Sequence, residues 1–185
     1  MRLNLCGIDE AGRGPLAGDM VMAGCILHEQ IDGLNDSKKL TPKKREQLFL
    51  EIKEKSTFHI VRFTPNDIDT KGISTCLRDG LIEITKNLKA SNYLFDGNTN
   101  YGVSNIETLI QADGKIAEVS AASILAKVTH DIEILELAKL YPQYELEKHK
   151  GYGTKRHIEL IVKYGKSDIH RKTYKIKALE TSSLF

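Results

Sequence analysis

The sequence predicts an α/β fold in which a mixed β-sheet is covered by helices and followed by a helical, basic C-terminal part. Short apolar runs typical of strands occur at residues 3–8, 20–27 and 58–63, and helical patterns lie between and after such runs. No linker or internal repeat interrupts the 185 residues. We therefore expect a single domain over residues 1–185, with a basic helical C-terminal part at about residues 141–185.

The first half of the chain combines strand and helix signals. The run at residues 3–8 is followed so closely by Met20–Leu27 that the two strands are expected to form a hairpin. Thr41 before Pro42 is typical of a helix start, with an N-cap and a proline in the first turn. This helix is expected to end near residue 55.

The second half begins with an amphipathic helix, because apolar residues recur at spacings of three and four from Ile73 to Leu88. Two short strands, a long helix and a shorter last helix are expected at residues 93–95, 106–110, 119–140 and 154–164. From about residue 167 the chain is basic and irregular.

Composition excludes several classes of protein. Hydrophobic residues make up 41% and charged residues 28% of the chain, which excludes a fibre and a wholly disordered protein. The longest apolar run, Met20–Leu27, is far too short to span a membrane, so no membrane partner is expected. The dispersed cysteines Cys6, Cys25 and Cys76 favour a cytoplasmic protein without a disulfide framework or zinc cluster.

Charge is distributed unevenly along the chain. Residues 1–126 carry 15 basic and 17 acidic side chains, whereas residues 127–185 carry 12 and 8. Within residues 148–177 there are 10 basic and 2 acidic residues. A basic segment on a slightly acidic body is typical of a protein that binds a polyanion such as nucleic acid. A solvated, lysine-rich surface would give the same pattern, and charge alone leaves both readings open.

Acidic residues follow two of the predicted strands. Asp9 and Glu10 come after the first strand, and Asp96 comes after the strand at residues 93–95. Functional sites in open α/β sheets gather at the carboxyl ends of strands, so Asp9 and Asp96 converge if these strands are neighbours. Glu10 points to the opposite face of an ideal strand, and joins the site only where the chain leaves the sheet.

A fourth acidic residue, Asp131, lies on the long predicted helix. It shares a helical face with Ile124 and Val128, which places it near the sheet. Clustered carboxylates repel one another, and oxygen ligands suit Mg²⁺ or Mn²⁺. Two such ions roughly 3.5–4 Å apart would form a phosphodiester-cleaving site. The alternative is that each acid is an ordinary turn or surface residue, and spacing does not decide between the two.

Two glycine-containing segments are candidates for contact with a nucleic acid. The segment from Gly12 to Gly18 lacks the Gly-Lys-Ser/Thr ending of a nucleotide P-loop, but its backbone permits close approach of a strand. Tyr152 lies between two glycines and follows several cations, an arrangement in which an aromatic ring stacks on a nucleotide. A packed tyrosine at a helix entry would show the same pattern.

Seven sequence blocks resemble those of type 2 ribonuclease H, the ribonuclease HII family. They occur in the family's order and cover nearly the whole chain: GIDEAGRGPLAG (7–18), DSKKL (36–40), LFDGN (94–98), AASILAKVTHD (121–131), YPQY (141–144), KHKGYGT (148–154) and IHR (169–171). The chain departs from the family pattern at Asp19, Gly114 and Tyr174, where Pro, Ala and Phe are usual. None of these three positions is a proposed metal ligand.

The resemblance implies a ribonuclease H-like fold with a five-stranded mixed sheet of order 3-2-1-4-5, in which strand 2 is antiparallel. It also implies a site for two Mg²⁺ or Mn²⁺ ions, made by four residues that are both catalytic and metal-binding: Asp9, Glu10, Asp96 and Asp131. Four further residues would read the junction where a ribonucleotide meets DNA: Gly12, Arg13, Gly14 and Tyr152.

The activity implied by the resemblance is that of a metal-dependent endoribonuclease. It would hydrolyse the RNA strand of RNA–DNA hybrids and cut on the 5′ side of ribonucleotides embedded in duplex DNA, leaving 3′-hydroxyl and 5′-phosphate ends. Such an enzyme removes RNA primers and misincorporated ribonucleotides in the cytoplasm, and we expect a monomer. Two alternatives are a non-enzymatic nucleic-acid-binding protein and a phosphotransferase of related fold, for which the chain lacks a suitable phosphate loop.

Overall fold

Five strands form one sheet within residues 4–176, which are the residues that the computed structural model describes. In chain order the strands are β1 (Leu5–Ala11), β2 (Met20–Leu27), β3 (Ser56–Phe63), β4 (Asn92–Asp96) and β5 (Ile106–Leu109). Their order across the sheet is β3-β2-β1-β4-β5. β2 is antiparallel to β1 and β3, whereas β4 is parallel to β1 and β5. The predicted fold class, strand order and β1–β2 hairpin are confirmed.

Six α-helices accompany the sheet in this part of the chain: α1 (Pro42–Lys55), α2 (Pro65–Lys71), α3 (Ile73–Asn87), α4 (Ala117–Leu140), α5 (Leu146–His149) and α6 (Lys155–Tyr164). Thr41 and Thr154 accept hydrogen bonds as the N-caps of α1 and α6, as the sequence predicts. Helix α2 was not predicted. Its Thr64–Asp67 capping box is a local helix signal, but seven residues are too few to show a helical period.

The continuous apolar run of β2 is explained by burial on both faces of the sheet. Met20 and Met22 pack into the core on the α3 side. Val21, Ala23 and Cys25 alternate with them and pack against α1 and α4 on the other side. The sheet therefore lies between two helical layers.

Helix α4 crosses β1 in direct contact. A side chain at Gly7 would overlap the backbone of Glu118 and Val119, so glycine is needed for this close approach. The crossing brings the following turns of α4, including Ser123, beside the carboxyl end of β1. Contact between these two elements therefore decides which α4 side chains reach the acidic end of the strand.

A third core lies between the end of α4 and the C-terminal part. It contains Tyr144, Leu160, Ile161 and Ile169, together with Ala17 from the loop between β1 and β2. The C-terminal part is thus packed directly on that loop. Residues 177–185 lie outside the described residues, so the predicted extent of a single domain over 1–185 stays a prediction. None of the helices within residues 4–176 is long and apolar enough to cross a membrane.

Candidate active site

Three carboxylates converge at the carboxyl end of the parallel strands. One oxygen each from Asp9, Asp96 and Asp113 lies within 4.8 Å of the others, and this is the one such group of potential metal ligands found within residues 4–176. The pairing of Ile8 with Phe95 places Asp9 and Asp96 side by side on neighbouring strands. The structure therefore brings these two residues together as the predicted strand order requires.

Asp113 is a member of this cluster that the sequence analysis missed. It lies in a short 3₁₀ turn, residues 112–114, after β5, and its backbone N–H donates to Asp96 Oδ2 at 3.3 Å. Because β5 is the parallel neighbour of β4, its carboxyl end leads to the same edge of the sheet. An acidic residue shortly after β5 was the feature of the sequence that could have identified Asp113.

Asp131 does not join the cluster. It lies eight residues beyond Ser123 on α4, about 12 Å further along the helix axis. Its Oδ1 accepts from Lys127 Nζ at 2.8 Å and lies 3.3 Å from His130 Nδ1. It also lines a different cleft, together with Arg45. Ser123 and Lys127 line the cleft with Asp9, but the rise of the helix carries Asp131 beyond it.

Glu10 lies next to the cluster and retains an unsatisfied oxygen. Its Oε2 is buried and has no hydrogen-bond partner among the described residues, while Oε1 lies 3.8 Å from Arg13 Nη1. Burial raises the pKa of Glu10 to about 7, which the nearby Arg13 charge only partly opposes. An orphaned, buried carboxylate oxygen is a group that a bound cation would satisfy.

The buried carboxyl groups also repel one another. Burial, reinforced by the charge of Glu10, raises the pKa of Asp9 well above its ordinary value. Burial together with the charges of Asp36 and Asp96 raises the pKa of Asp113 to about 6. An all-oxygen set of crowded carboxylates fits a hard divalent cation, which would stabilise their ionised forms.

The predicted substrate-contacting residues line one cleft with Asp9 and Glu10. This cleft has a volume of about 270 Å³ and includes Gly12, Arg13, Gly14 and Tyr152 in its wall. Tyr152 is 44% exposed, so its ring is accessible to a ligand. Four further polar residues, which the sequence analysis did not select, complete the lining: Ser37, Lys38, Ser123 and Lys127.

The backbone at Gly12 requires glycine. Its φ is +81°, a left-handed conformation that other residues rarely adopt. A Cβ there would lie 2.5 Å from His130 Cδ2 and 2.6 Å from the Asp19 carbonyl oxygen. The backbone at Gly12 therefore lies so close to α4 and to the residue before β2 that no side chain fits there.

Comparison with known proteins agrees with this geometry. The family model described as Ribonuclease HII matches residues 6–177. The chain belongs to the ribonuclease HII family. Its family membership confirms the resemblance and the predicted enzyme class, a hydrolytic endoribonuclease that degrades the RNA of RNA–DNA hybrids.

Individual relatives are similar over nearly their whole length. The Ribonuclease HII of Aliarcobacter butzleri is 61% identical over 178 residues, covering 95% of this chain and 93% of the relative. That of Sulfurovum sp. is 55% identical over 181 residues, covering 98% and 96%. The ribonuclease HII of Archaeoglobus fulgidus, solved in complex with PCNA, superposes with a TM-score of 0.82 at 27% identity, covering 94% of this chain and 96% of that one. The ribonuclease HII family is metal-dependent, and the three-acid cluster is compatible with metal binding.

Proposed function

We propose that this ribonuclease HII family member cuts on the 5′ side of ribonucleotides embedded in duplex DNA, as well as within RNA–DNA hybrids. Two Mg²⁺ or Mn²⁺ ions would be held by Asp9, Glu10, Asp96 and Asp113. The observation that carries the proposal is the approach of three carboxylates within 4.8 Å, two of them buried, beside the unsatisfied Glu10 oxygen. Asp113 takes the place in this set that the sequence analysis gave to Asp131.

Bound ions and the side chains of the cleft would have different roles in the cleavage reaction. When bound, such a pair of ions lowers the pKa of a water molecule and stabilises the departing 3′ oxygen, so the products carry 3′-hydroxyl and 5′-phosphate ends. The carboxylates hold their positions through the sheet register and the Asp113–Asp96 hydrogen bond. Lys38 and Lys127 on the cleft wall are suited to contact the phosphates on either side of the cut.

Recognition of the ribonucleotide is assigned to Tyr152 and to the turn from Gly12 to Gly18, which we call the glycine turn. The 2′-hydroxyl is what distinguishes the ribose from deoxyribose at that position. The backbone N–H groups of Arg13 and Gly14 donate no hydrogen bond within residues 4–176, and both residues line the cleft. They are therefore free to donate to the 2′-hydroxyl or to an adjacent phosphate, while the Tyr152 ring stacks on the sugar or its neighbour.

The remaining surface supports binding to nucleic acid without regard to sequence. Basic side chains of residues 148–177 would contact phosphates along the duplex. The three cysteines are free and buried, which fits a protein of the cytoplasm. We propose a monomer as the active form.

A cleavage assay tests the proposed function. The protein is incubated with a labelled DNA duplex carrying one ribonucleotide, with an RNA–DNA hybrid and with the matching all-DNA duplex, each with Mg²⁺ or Mn²⁺. We expect a single cut on the 5′ side of the ribonucleotide, several cuts in the hybrid and none in the DNA. Asp9→Asn should remove all cutting. Salt-sensitive binding to all three duplexes without any cut would instead identify a non-enzymatic nucleic-acid-binding protein.

A further inference from the structure

The carbonyl groups of the glycine turn are held by a buried arginine from the C-terminal part. Arg171 is 0% exposed. Its Nη2 donates to the Gly12 carbonyl at 2.5 Å and to the Gly18 carbonyl at 2.9 Å, and its Nη1 donates to the Arg13 carbonyl at 2.9 Å. One guanidinium therefore fixes both sides of the turn.

Tyr174 supports the same contact. Its hydroxyl donates to the Arg13 carbonyl at 2.7 Å and accepts from Arg171 Nη1 at 3.2 Å. The Arg171 guanidinium also lies over the Tyr174 ring, 5.1 Å from its centroid. The Arg13 carbonyl thus receives two hydrogen bonds from the C-terminal segment.

The segment that carries these two side chains is itself anchored. The Asp69 carboxylate on α2 accepts from the backbone N–H of Lys172 at 2.7 Å and of Thr173 at 2.9 Å. Lys166 Nζ donates to the carbonyls of Arg171 and Tyr174, both at 3.0 Å. The segment is therefore anchored to α2 as well as to the loop between β1 and β2, where the Arg171 backbone N–H donates to the Leu16 carbonyl at 2.8 Å.

Burying the charge of Arg171 without an acidic partner costs free energy. None of the ion pairs within residues 4–176 includes Arg171, so its buried charge is compensated by carbonyl dipoles. Apolar side chains of similar volume often fill such a position at least as stably. What a guanidinium adds is a rigid, planar set of donors that fixes several carbonyls at once.

Given the proposed cleavage at ribonucleotides, we propose that Arg171 and Tyr174 are positioning residues for ribonucleotide recognition. By drawing the carbonyls of Gly12 and Arg13 inward, they turn the N–H groups of Arg13 and Gly14 toward the cleft. Loosening either contact allows the turn to rotate, and the preference for ribose over deoxyribose falls. Binding to the phosphates of a plain duplex is unchanged, because that binding depends on other residues.

Tyr174→Phe tests this most cleanly, because it removes one hydroxyl and keeps the ring over Arg171. The matched control is Tyr93→Phe, whose hydroxyl donates to the Leu88 carbonyl at 2.6 Å near the opposite end of β4. Two quantities are measured: kcat/KM on the single-ribonucleotide duplex, and the Kd of the all-DNA duplex divided by the Kd of the single-ribonucleotide duplex, both in EDTA. We expect Tyr174→Phe to lower each by about three- to tenfold, as the loss of one hydrogen bond predicts, and Tyr93→Phe to change neither.

The outcomes separate this inference from the proposed function. If the wild-type protein cuts and Tyr174→Phe behaves like Tyr93→Phe in both measurements, the positioning role is overturned while the cleavage stands. If the wild type prefers the ribonucleotide duplex but does not cut, the proposed function fails and the Kd ratio still tests the positioning role. A wild type without any such preference overturns the positioning role. Arg171→Lys, which keeps the charge but loses the planar donors, should lower the Kd ratio more than Tyr174→Phe does.

Discussion

The surroundings of individual carboxyl groups in this protein shift their pKa values in opposite directions. Burial raises the pKa of Asp9, Glu10 and Asp113, and the charge of a neighbouring acid adds to this at all three. Asp131 is also desolvated, but its hydrogen bonds with His130 and Lys127 prevail and lower its pKa. The first three therefore gain from a bound cation, whereas the charge of Asp131 is already compensated by Lys127. The electrostatic environment of each carboxyl group, and not its residue type, separates the proposed metal ligands from Asp131.

Asp113→Asn and Asp131→Asn form a matched pair that tests this distinction. Asp113→Asn should lower the cleavage rate in saturating Mg²⁺ at least about 100-fold, because losing even a hydrogen-bond partner of a metal ligand typically costs 10- to 100-fold. Asp131→Asn should lower it less than about tenfold, through weaker placement of Lys127. Circular dichroism checks that both variants fold. An inactive Asp131→Asn beside an active Asp113→Asn would restore the ligand set expected from the sequence blocks.

Tyr152→Ala should weaken cleavage at a single ribonucleotide while leaving the binding of a plain duplex nearly unchanged. Stacking of an aromatic ring on a nucleotide contributes about 1–3 kcal/mol, so the expected loss in kcat/KM is roughly 5- to 150-fold. Tyr164→Ala is the control, because this tyrosine is similarly exposed, 48% against 44%, but does not line the cleft. Equal losses in cleavage and plain-duplex binding would show that Tyr152 only packs.

At the scale of elements, three histidines connect the C-terminal helices to the cleft. The His149 and His157 rings stack with centroids 4.2 Å apart, and His157 Nε2 lies 3.3 Å from His170 Nε2. His157 Nδ1 reaches the Tyr152 carbonyl at 3.0 Å. Burial lowers the pKa of His157 and of His170 to about 4. The placement of Tyr152 therefore depends on a neutral histidine pair.

The C-terminal part should lose local stability as the pH falls from about 6.5 towards 4. In that range histidines of the unfolded state bind protons that the folded state excludes, which favours unfolding. Amide hydrogen exchange of residues 144–171, corrected for intrinsic rates, should be faster at pH 5 than at pH 7.5. His157→Gln should reduce this difference, whereas substitution of the exposed His28 should not. Exchange that is equal at the two pH values would contradict this assignment.

At the scale of the whole molecule, the acidic cluster and its unsatisfied oxygen limit stability unless a cation is bound. Its raised carboxyl pKa values mean that the metal-free folded state retains protons that the unfolded state has lost. The corresponding stabilisation is present below the unfolded values and is lost as the pH rises through about 6 for Asp113 and about 7 for Glu10. The metal should therefore stabilise the fold most where these groups are ionised.

Mg²⁺ should raise the melting temperature more at pH 8 than at pH 5.5. At a concentration 100 times the Kd, binding contributes about 2.7 kcal/mol, or roughly 5–10 °C for a chain of this size. Comparing the shift with and without Mg²⁺ at each pH cancels the separate contribution of the histidines. Asp113→Asn should show a smaller shift at pH 8, and Asp131→Asn should keep it. A shift of the same size at both pH values would contradict the crowded-carboxylate description.

Elements with local signals could be predicted from the sequence. The continuous apolar run of β2, the Thr41–Pro42 start of α1 and the apolar spacing of α3 each report a nearby physical constraint: burial on two faces, capping or a helical stripe. The positions of Asp9 and Asp96 followed once strand order was known, because adjacent parallel strands end at one edge. Helix α2 was not predicted, because its seven residues include a capping box but are too few to show the helical period of apolar residues.

Long-range packing determines which acids meet and which residues hold the glycine turn. Asp113 reaches Asp96 through the path of the chain after β5, and Asp131 is carried away by the rise of α4 from its crossing with β1 at Gly7. Arg171 reaches the Gly12 carbonyl across 159 residues of sequence. Such contacts depend on how elements pack in three dimensions, and no local pattern in the chain records them.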